Sequence, residues 1–238
     1  MTIKEAINCR KSRRTFTSKL INETVMKQLE VLMEEVNKES GLSFKIVANG
    51  ADGFDGFKSY GLFKNVCTVL VFKGNKDIEN LYEKVGYYGE RIVLEVTQLG
   101  LASCWVGGTF KNAAGWQNEN EEIACVVPIG YTEEKLDLKE KLMNTVSHVK
   151  HKSLDKLCTY DKPETWFIEA MEAVQQAPSA MNRQPVYFKL EQGNVTVELM
   201  AENKYAQIDL GIAKYHFEVI GQCRFSLGSP ATSKREVR

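Results

Sequence analysis

The sequence predicts a layered α+β fold, in which a mixed sheet is covered by helices. Three observations carry that expectation. Helical and strand-like stretches occur in similar number along the chain. Two stretches, Val66 to Phe72 and Ile123 to Ile129, are apolar almost without a break, as strands buried on both faces are. The helical stretches place apolar residues on one face, so each has a layer to cover.

The elements follow in order. Thr2-Ile3-Lys4-Glu5 has the capping-box spacing and starts a short helix that runs out near Arg10. Asn22 caps a second helix, on which Val25, Met26, Leu29, Leu32, Met33 and Val36 share a face until Gly41 stops it. Ser43 to Ala48 reads as a strand, and the glycine-rich stretch from Asn49 to Gly61 as a loop. After the apolar strand Val66 to Phe72, Asn80 to Leu99 is helical and Gly100 is placed to end it. A short apolar segment, Leu101 to Gly108, precedes the buried strand Ile123 to Ile129.

Thr132 to Thr159 is charged and poor in pattern, and reads as a surface helix and connector. Asp161-Lys162-Pro163-Glu164 is expected to open the next helix, with Pro163 in its first turn and Pro178 at its end. Val186 to Leu190 and Val195 to Met200 form a hairpin about Gly193-Asn194, and Gln207 to Ile220 is a helix. The polar tail after Leu227 is expected to fray. A weak internal echo, with Gly100 laid on Gly221, pairs Val96 with Phe217 and Leu99 with Ile220. The expected organisation is an N-terminal half over 1–131, a connector over 132–160 and a C-terminal half over 161–238.

Composition narrows the function. The 238 residues hold 31 Lys plus Arg against 31 Asp plus Glu, so the formal net charge is zero. Phosphate backbones are bound through an excess of cations, so the balance argues against a nucleic-acid partner. No apolar run approaches the roughly 20 residues that span a bilayer, and Met1 to Arg14 lacks the apolar stretch of a signal peptide. A cytoplasmic location is the expectation. The six cysteines are widely spaced, and Cys67, Cys104, Cys125 and Cys223 read as buried hydrophobes.

Three stretches could carry chemistry. Arg10-Lys11-Ser12-Arg13-Arg14 packs four cations into five positions, which suits an anion, because the guanidinium fork bonds two oxygens at once. It reads equally as a solvated basic turn. Pro178 to Pro185 presents the amides of Asn182 and Gln184, which both donate and accept and so match a heteroaromatic edge. An ordinary helix-to-strand loop is the other reading. Trp105 to Gly108 offers a flat wall and two glycines that let a ligand approach backbone N–H groups, although Trp105 could be a plain core residue. The spacing His148-x-x-His151-x6-Cys158 is tolerable for zinc, but it lies in a Lys-rich stretch with no evident fourth ligand. His216 sits in an apolar helical stripe and reads as structural.

Taken together, the three stretches resemble the nitroreductase family of flavoproteins. Arg10 to Phe16 is similar to the family's Arg-x-Ser-x-Arg-x-Phe motif, Ala177 to Pro185 to its second signature, and Leu99 to Gly108 with Val127 to Tyr131 to its third region. The proline-flanked turn here follows the Gly-Gly segment, an order that resembles a branch in which one chain holds two related halves and imitates the usual homodimer. The resemblance implies FMN as cofactor. Arg10, Lys11, Ser12 and Arg14 match residues that hold its phosphate and ribityl chain. Pro178, Ser179, Asn182 and Gln184 match the turn at the isoalloxazine ring, while Gly107 and Gly108 match the backbone near flavin N5, beside Trp105.

The family's basic pair after Gly-Tyr is replaced here by Thr132-Glu133-Glu134-Lys135, with Arg224, Lys234 or Arg235 as substitutes. The implied activity is hydride transfer from NAD(P)H through flavin N5 to an electron-poor acceptor such as a nitroaromatic or quinone, with no side chain needed as acid or base. The alternative is a non-catalytic member of the fold that binds a small molecule or protein. Phe54 and Phe57 either shape the pocket or anchor the core. A monomer with one FMN is expected, with a homodimer as the other possibility.

Overall fold

The computed structural model describes residues 1–54, 62–133 and 151–234. Most of the expected connector, with His148 and Glu134, lies outside the described residues, as do Phe57, Arg235 and the side chain of Lys234. The chain divides into two compact units that interleave in sequence. One takes Met1–Asn8, Tyr82–Arg91 and the described part of Val149–Arg238; the other takes the described parts of Cys9–Leu81 and Ile92–His148. Each unit is built on one four-stranded sheet.

The unit that starts at Cys9 holds helix α2 (Glu23–Ser40) and strands β1 (Lys45–Val47), β2 (Thr68–Asn75), β3 (Ala102–Ser103) and β4 (Glu121–Gly130) in the order β1-β2-β4-β3. Named strands pair antiparallel, from Thr68 opposite Ile129 to Asn75 opposite Glu121, with an irregularity between Phe72 and Lys73. The apolar text of β2 has its reason here. Val69, Leu70, Val71 and Phe72 are all fully buried. Asn22 Oδ1 accepts the Thr24 N–H at 2.8 Å, and Gly41, at φ +74°, ends α2 with its N–H on Asn37 O. Phe54 packs in this core, 4.9 Å from Phe63 ring to ring.

The other unit holds the capping box of helix α1 (Ile3–Cys9), where Thr2 N–H meets Glu5 Oε2 at 2.7 Å and Glu5 N–H meets Thr2 Oγ1 at 3.2 Å. Its sheet orders β5 (Cys158–Tyr160), β6 (Val186–Glu191), β7 (Asn194–Leu199) and β8 (Ala231–Lys234), with β5 parallel to β6 and the rest antiparallel. Helices α4 (Thr165–Gln176) and α5 (Lys204–Gly221) pack on one another, and Phe188 stacks on Phe217 at 5.1 Å in the core. The first half of helix α3 (Leu81–Gln98) belongs here too. Gly86 and Gly211 allow that half of α3 to meet α5 backbone to backbone. A Cβ on Gly86 would strike Ile208 O, and one on Gly211 would strike Glu83 O.

Some expectations change. Helix α4 starts at Thr165 with Glu164 as its cap residue, while Asp161 instead receives the N–H groups of Lys162 and Gln192 and ties off the hairpin. The tail does not fray before Lys234. It forms β8, with Ala231 and Ser233 buried against β7. Cys158 is buried and Cys67 only partly so. Helices α3 and α5 are both 18 residues long, and a left-handed residue follows each: Gly100 at φ +78° and Gln222 at φ +53°.

Candidate functional site

The basic segment is extended, not a turn. Ser12 bridges Ser103 in parallel, Arg13 N–H donates to Ser103 O at 3.0 Å, and Thr15 bridges Lys64. The segment thus adds a parallel partner to the β3 edge and makes that sheet mixed. Lys11 is exposed, while Arg10, Ser12, Arg13 and Arg14 are half-buried. Arg13 Nη2 donates to Glu133 O at 3.0 Å.

Arg10 is different. Its Nε and Nη1 are buried and have no hydrogen-bond partner among the described residues, and the same is true of Ser103 Oγ. Buried polar atoms are normally paired, and a guanidinium left without acceptors is costly. The strand that holds Ser103 continues into the third stretch. Trp105 is half-buried with its ring 5.4 Å from that of Phe72, and the bridge between Val106 and Val126 fixes the chain just before Gly107 and Gly108. One unit therefore brings the basic segment alongside Ser103 and the chain leading to the two glycines.

The other unit holds the proline-flanked turn. Ala180–Asn182 forms a single 3-10 turn after α4. Three of its neighbouring residues are left-handed without being glycine: Met181 at φ +55°, Asn182 at φ +53° and Gln184 at φ +44°. Such conformations cost of order 1–3 kcal/mol each and persist where the surroundings over-determine them. The surroundings do so here. Gln184 Oε1 accepts the Lys152 N–H at 2.7 Å, and its Nε2 donates to Gln175 O at 2.9 Å. Its own N–H reaches Ser179 Oγ at 3.0 Å, and Lys152 Nζ reaches its carbonyl at 2.9 Å. Gln184 and Ser179 thus hold the turn from within. Asn182 and Pro178 are half-buried, and Met181 is 74% exposed.

Beneath the turn lies Asp209 of α5, only 6% exposed. Its Oδ1 and Oδ2 both receive the Ala180 N–H, at 3.0 and 3.1 Å. Burial pushes its carboxyl up to about 7, and the Ala180 N–H pulls the other way. Sequence reasoning missed Asp209 and Ser103. The available signal for Asp209 was a lone carboxylate between Ile208 and Leu210 in an apolar stripe. Ser103 lies within Leu99 to Gly108, and only its partnerless hydroxyl marks it.

His216 and Cys158 are held inside the fold. His216 joins Ala173 O through Nδ1 and Glu90 Oε1 through Nε2, both at 2.9 Å and fully buried. Cys158 Sγ donates to Leu154 O, and burial pushes its thiol up to about 11. Among the described residues no cluster of three or more His, Cys, Asp or Glu could hold a metal ion. Among them, too, no helix is long and apolar enough to cross a membrane.

The family described as "Putative TM nitroreductase" matches residues 2–221. A "putative nitroreductase" from Thermotoga maritima MSB8 is similar in structure, with a TM-score of 0.67 at 20% identity, over 98% of this chain and 92% of that one. At that identity the likeness is one of fold. A nitroreductase family protein from Clostridium difficile 630 matches 68% of this chain and 100% of its own, at 14% identity and a TM-score of 0.49. A nitroreductase with bound FMN from Bacteroides fragilis NCTC 9343 matches 59% of this chain and 93% of its own, at 18% identity and a TM-score of 0.45. No curated protein matches.

Proposed function

The chain belongs to this nitroreductase family, and from that premise we propose that it is an FMN-dependent oxidoreductase. It would pass hydride from NAD(P)H to a small electron-poor acceptor such as a nitroaromatic or a quinone. The observation that carries the reading is that Arg10 Nε and Nη1 are both buried and partnerless among the described residues, on the segment paired with Ser103, whose hydroxyl is also partnerless. Unpaired guanidinium N–H groups and a hydroxyl are donors that a phosphate monoester satisfies. The residues present therefore fit the phosphate end of FMN.

Arg10 would hold the phosphate, with Ser12 and Ser103 adding hydroxyl donors and Lys11 and Arg14 adding charge. When bound, the flavin supplies a ring that takes two electrons and a proton from a reduced nicotinamide and returns them to an acceptor. The chain's own part is to bind and orient. Gly107 and Gly108 would let the backbone approach the ring closely, and Trp105 would wall it. Asn182, with Pro178 and the internally bonded Ser179 and Gln184 keeping its turn in shape, is proposed as an amide for the polar edge of a flavin. Cations near a reduced ring stabilise its negative charge, a role for Lys11, Arg14 or Arg183. A monomer carrying one FMN is the expected assembly.

Fluorescence titration with FMN tests the assignment. Arg10→Ala is expected to weaken FMN binding roughly tenfold or more, the worth of one charge-assisted hydrogen bond. Unchanged affinity would remove Arg10 from the site. A second reading keeps the fold without the flavin, as a small-molecule or protein-binding module. It is favoured by Thr132-Glu133-Glu134 where the family usually has basic residues. Absence of FMN binding by the folded wild-type chain would select it.

A further inference from the structure

We infer that Asp209 is a positioning residue that latches the Ala180–Gln184 turn into its left-handed course and so sets where Asn182 is presented. The inference rests on the flavin reading for its purpose but not for its geometry.

The turn needs a latch. Met181, Asn182 and Gln184 all lie in the left-handed region, and two of these three residue types are not ones that tolerate it well. Two anchors oppose the relaxation of such a backbone. The C-terminal anchor is Gln184, whose amide and backbone are bonded to Lys152, Gln175 and Ser179. The N-terminal anchor is the Ala180 N–H, which points at both carboxyl oxygens of Asp209. Between the anchors lie Met181, Asn182 and Arg183, and Met181 and Arg183 are exposed. Releasing one anchor lets the turn relax while the sheet and helices stay as they are.

Asp209 is also a poor choice for stability alone. A buried carboxyl with one backbone donor is less favourable than an apolar side chain of similar shape. Leu210, Ile212 and Ile208 beside it show that apolar residues are accommodated on this helix. The carboxyl sits where it touches the turn. That separates a positioning role from a packing role, because the two answer differently to substitution.

The test compares Asp209→Leu, which keeps the branched shape and removes the acceptor, with Asp209→Asn, which keeps an acceptor oxygen. Three quantities are read in the full chain: unfolding midpoint in urea, hydrogen exchange at the Ala180 amide, and FMN affinity by fluorescence. Asp209→Leu is expected to hold or raise the midpoint, speed Ala180 exchange at least tenfold and weaken FMN binding several-fold. Asp209→Asn is expected to restore slow exchange and near wild-type affinity. Ala180 exchange that stays slow in Asp209→Leu would overturn the latch. If Asp209→Leu does not fold, trypsin nicking after Arg183 decides in Asp209→Asn and Asp209→Ser. Faster nicking in Ser than in Asn supports the latch, and equal rates overturn it. Should wild-type protein bind no FMN, the flavin reading fails while the exchange and nicking results still judge the latch.

Discussion

Asp209 and Lys214 sit five residues apart on α5, and both are buried, yet they are compensated very differently. Lys214 Nζ donates to Glu83 Oε1 at 2.5 Å and to the carbonyls of Ser226 and Gly228 at 2.8 Å, so all three of its protons are placed. Glu83 Oε2 takes the Gly228 N–H at 2.7 Å, and the pair fastens the chain before β8. Burial lowers the Lys214 ammonium and the Glu83 partnership raises it, with burial the larger effect. Glu83→Gln is expected to cost about 3–5 kcal/mol in urea unfolding, because it strands a buried cation. Among the described residues Asp209 has a single donor, the Ala180 N–H, and its pH signature follows. Its carboxyl rises from 3.8 to about 7 on folding, so the folded state holds its proton more tightly than the unfolded state. That contribution is fully present below pH 3.8 and is lost as pH climbs through about 7, worth up to about 4 kcal/mol. Wild type should therefore lose stability relative to Asp209→Asn between those limits, checked by urea melts across the range. A difference that does not change with pH would contradict it. Glu121 works the opposite way. Burial pushes it up, but bonds from Lys73, Ser43 and Asn118 N–H outweigh burial and hold it below the usual range, so its contribution is lost toward acid.

Gly86 and Gly211 set the contact between the first half of α3 and α5. Each lies where a Cβ would meet the backbone of the other helix, with no flexible side chain to yield. Gly211→Ala is expected to cost on the order of 3 kcal/mol, which lowers the melting temperature by roughly 10 °C in a chain of this size. Asn22→Ala removes one cap bond and should cost about 1 kcal/mol, so calorimetry of the two variants separates a packing glycine from a cap. These element-level features were unequally legible in the sequence. The caps at Thr2, Asn22 and Gly41 and the buried strands β2 and β4 follow from local chemistry and apolar runs, and they were readable. Strand β8 was not, because Ala231 to Lys234 is a polar tetrapeptide whose strand character comes from pairing with β7. The start of α4 was misread at Asp161 because an Asx-type bond to a distant hairpin looks the same in sequence as a cap. Asp209 was passed over because its partner, Ala180 N–H, is 29 residues away and carries no side-chain signal.

The whole chain combines an even charge balance, a nitroreductase-family match over residues 2–221 and two interleaved units with a four-stranded sheet each. The three motif stretches fall on both units. Arg10 to Arg14 and Trp105 to Gly108 lie in one, and Pro178 to Gln184 lies in the other. An even charge balance suits the anion site proposed at Arg10, which would be local and not spread over a basic face. The central claim is that this chain holds FMN and works as a reductase through it. The most direct measurement is the absorbance spectrum of purified protein supplied with FMN and freed of unbound flavin, then treated with NADH or NADPH without oxygen. A retained flavin band near roughly 450 nm, set mainly by the flavin itself, is expected, and it should bleach on addition of the nicotinamide. A folded protein that retains no flavin, or retains one that neither nicotinamide reduces, would contradict it.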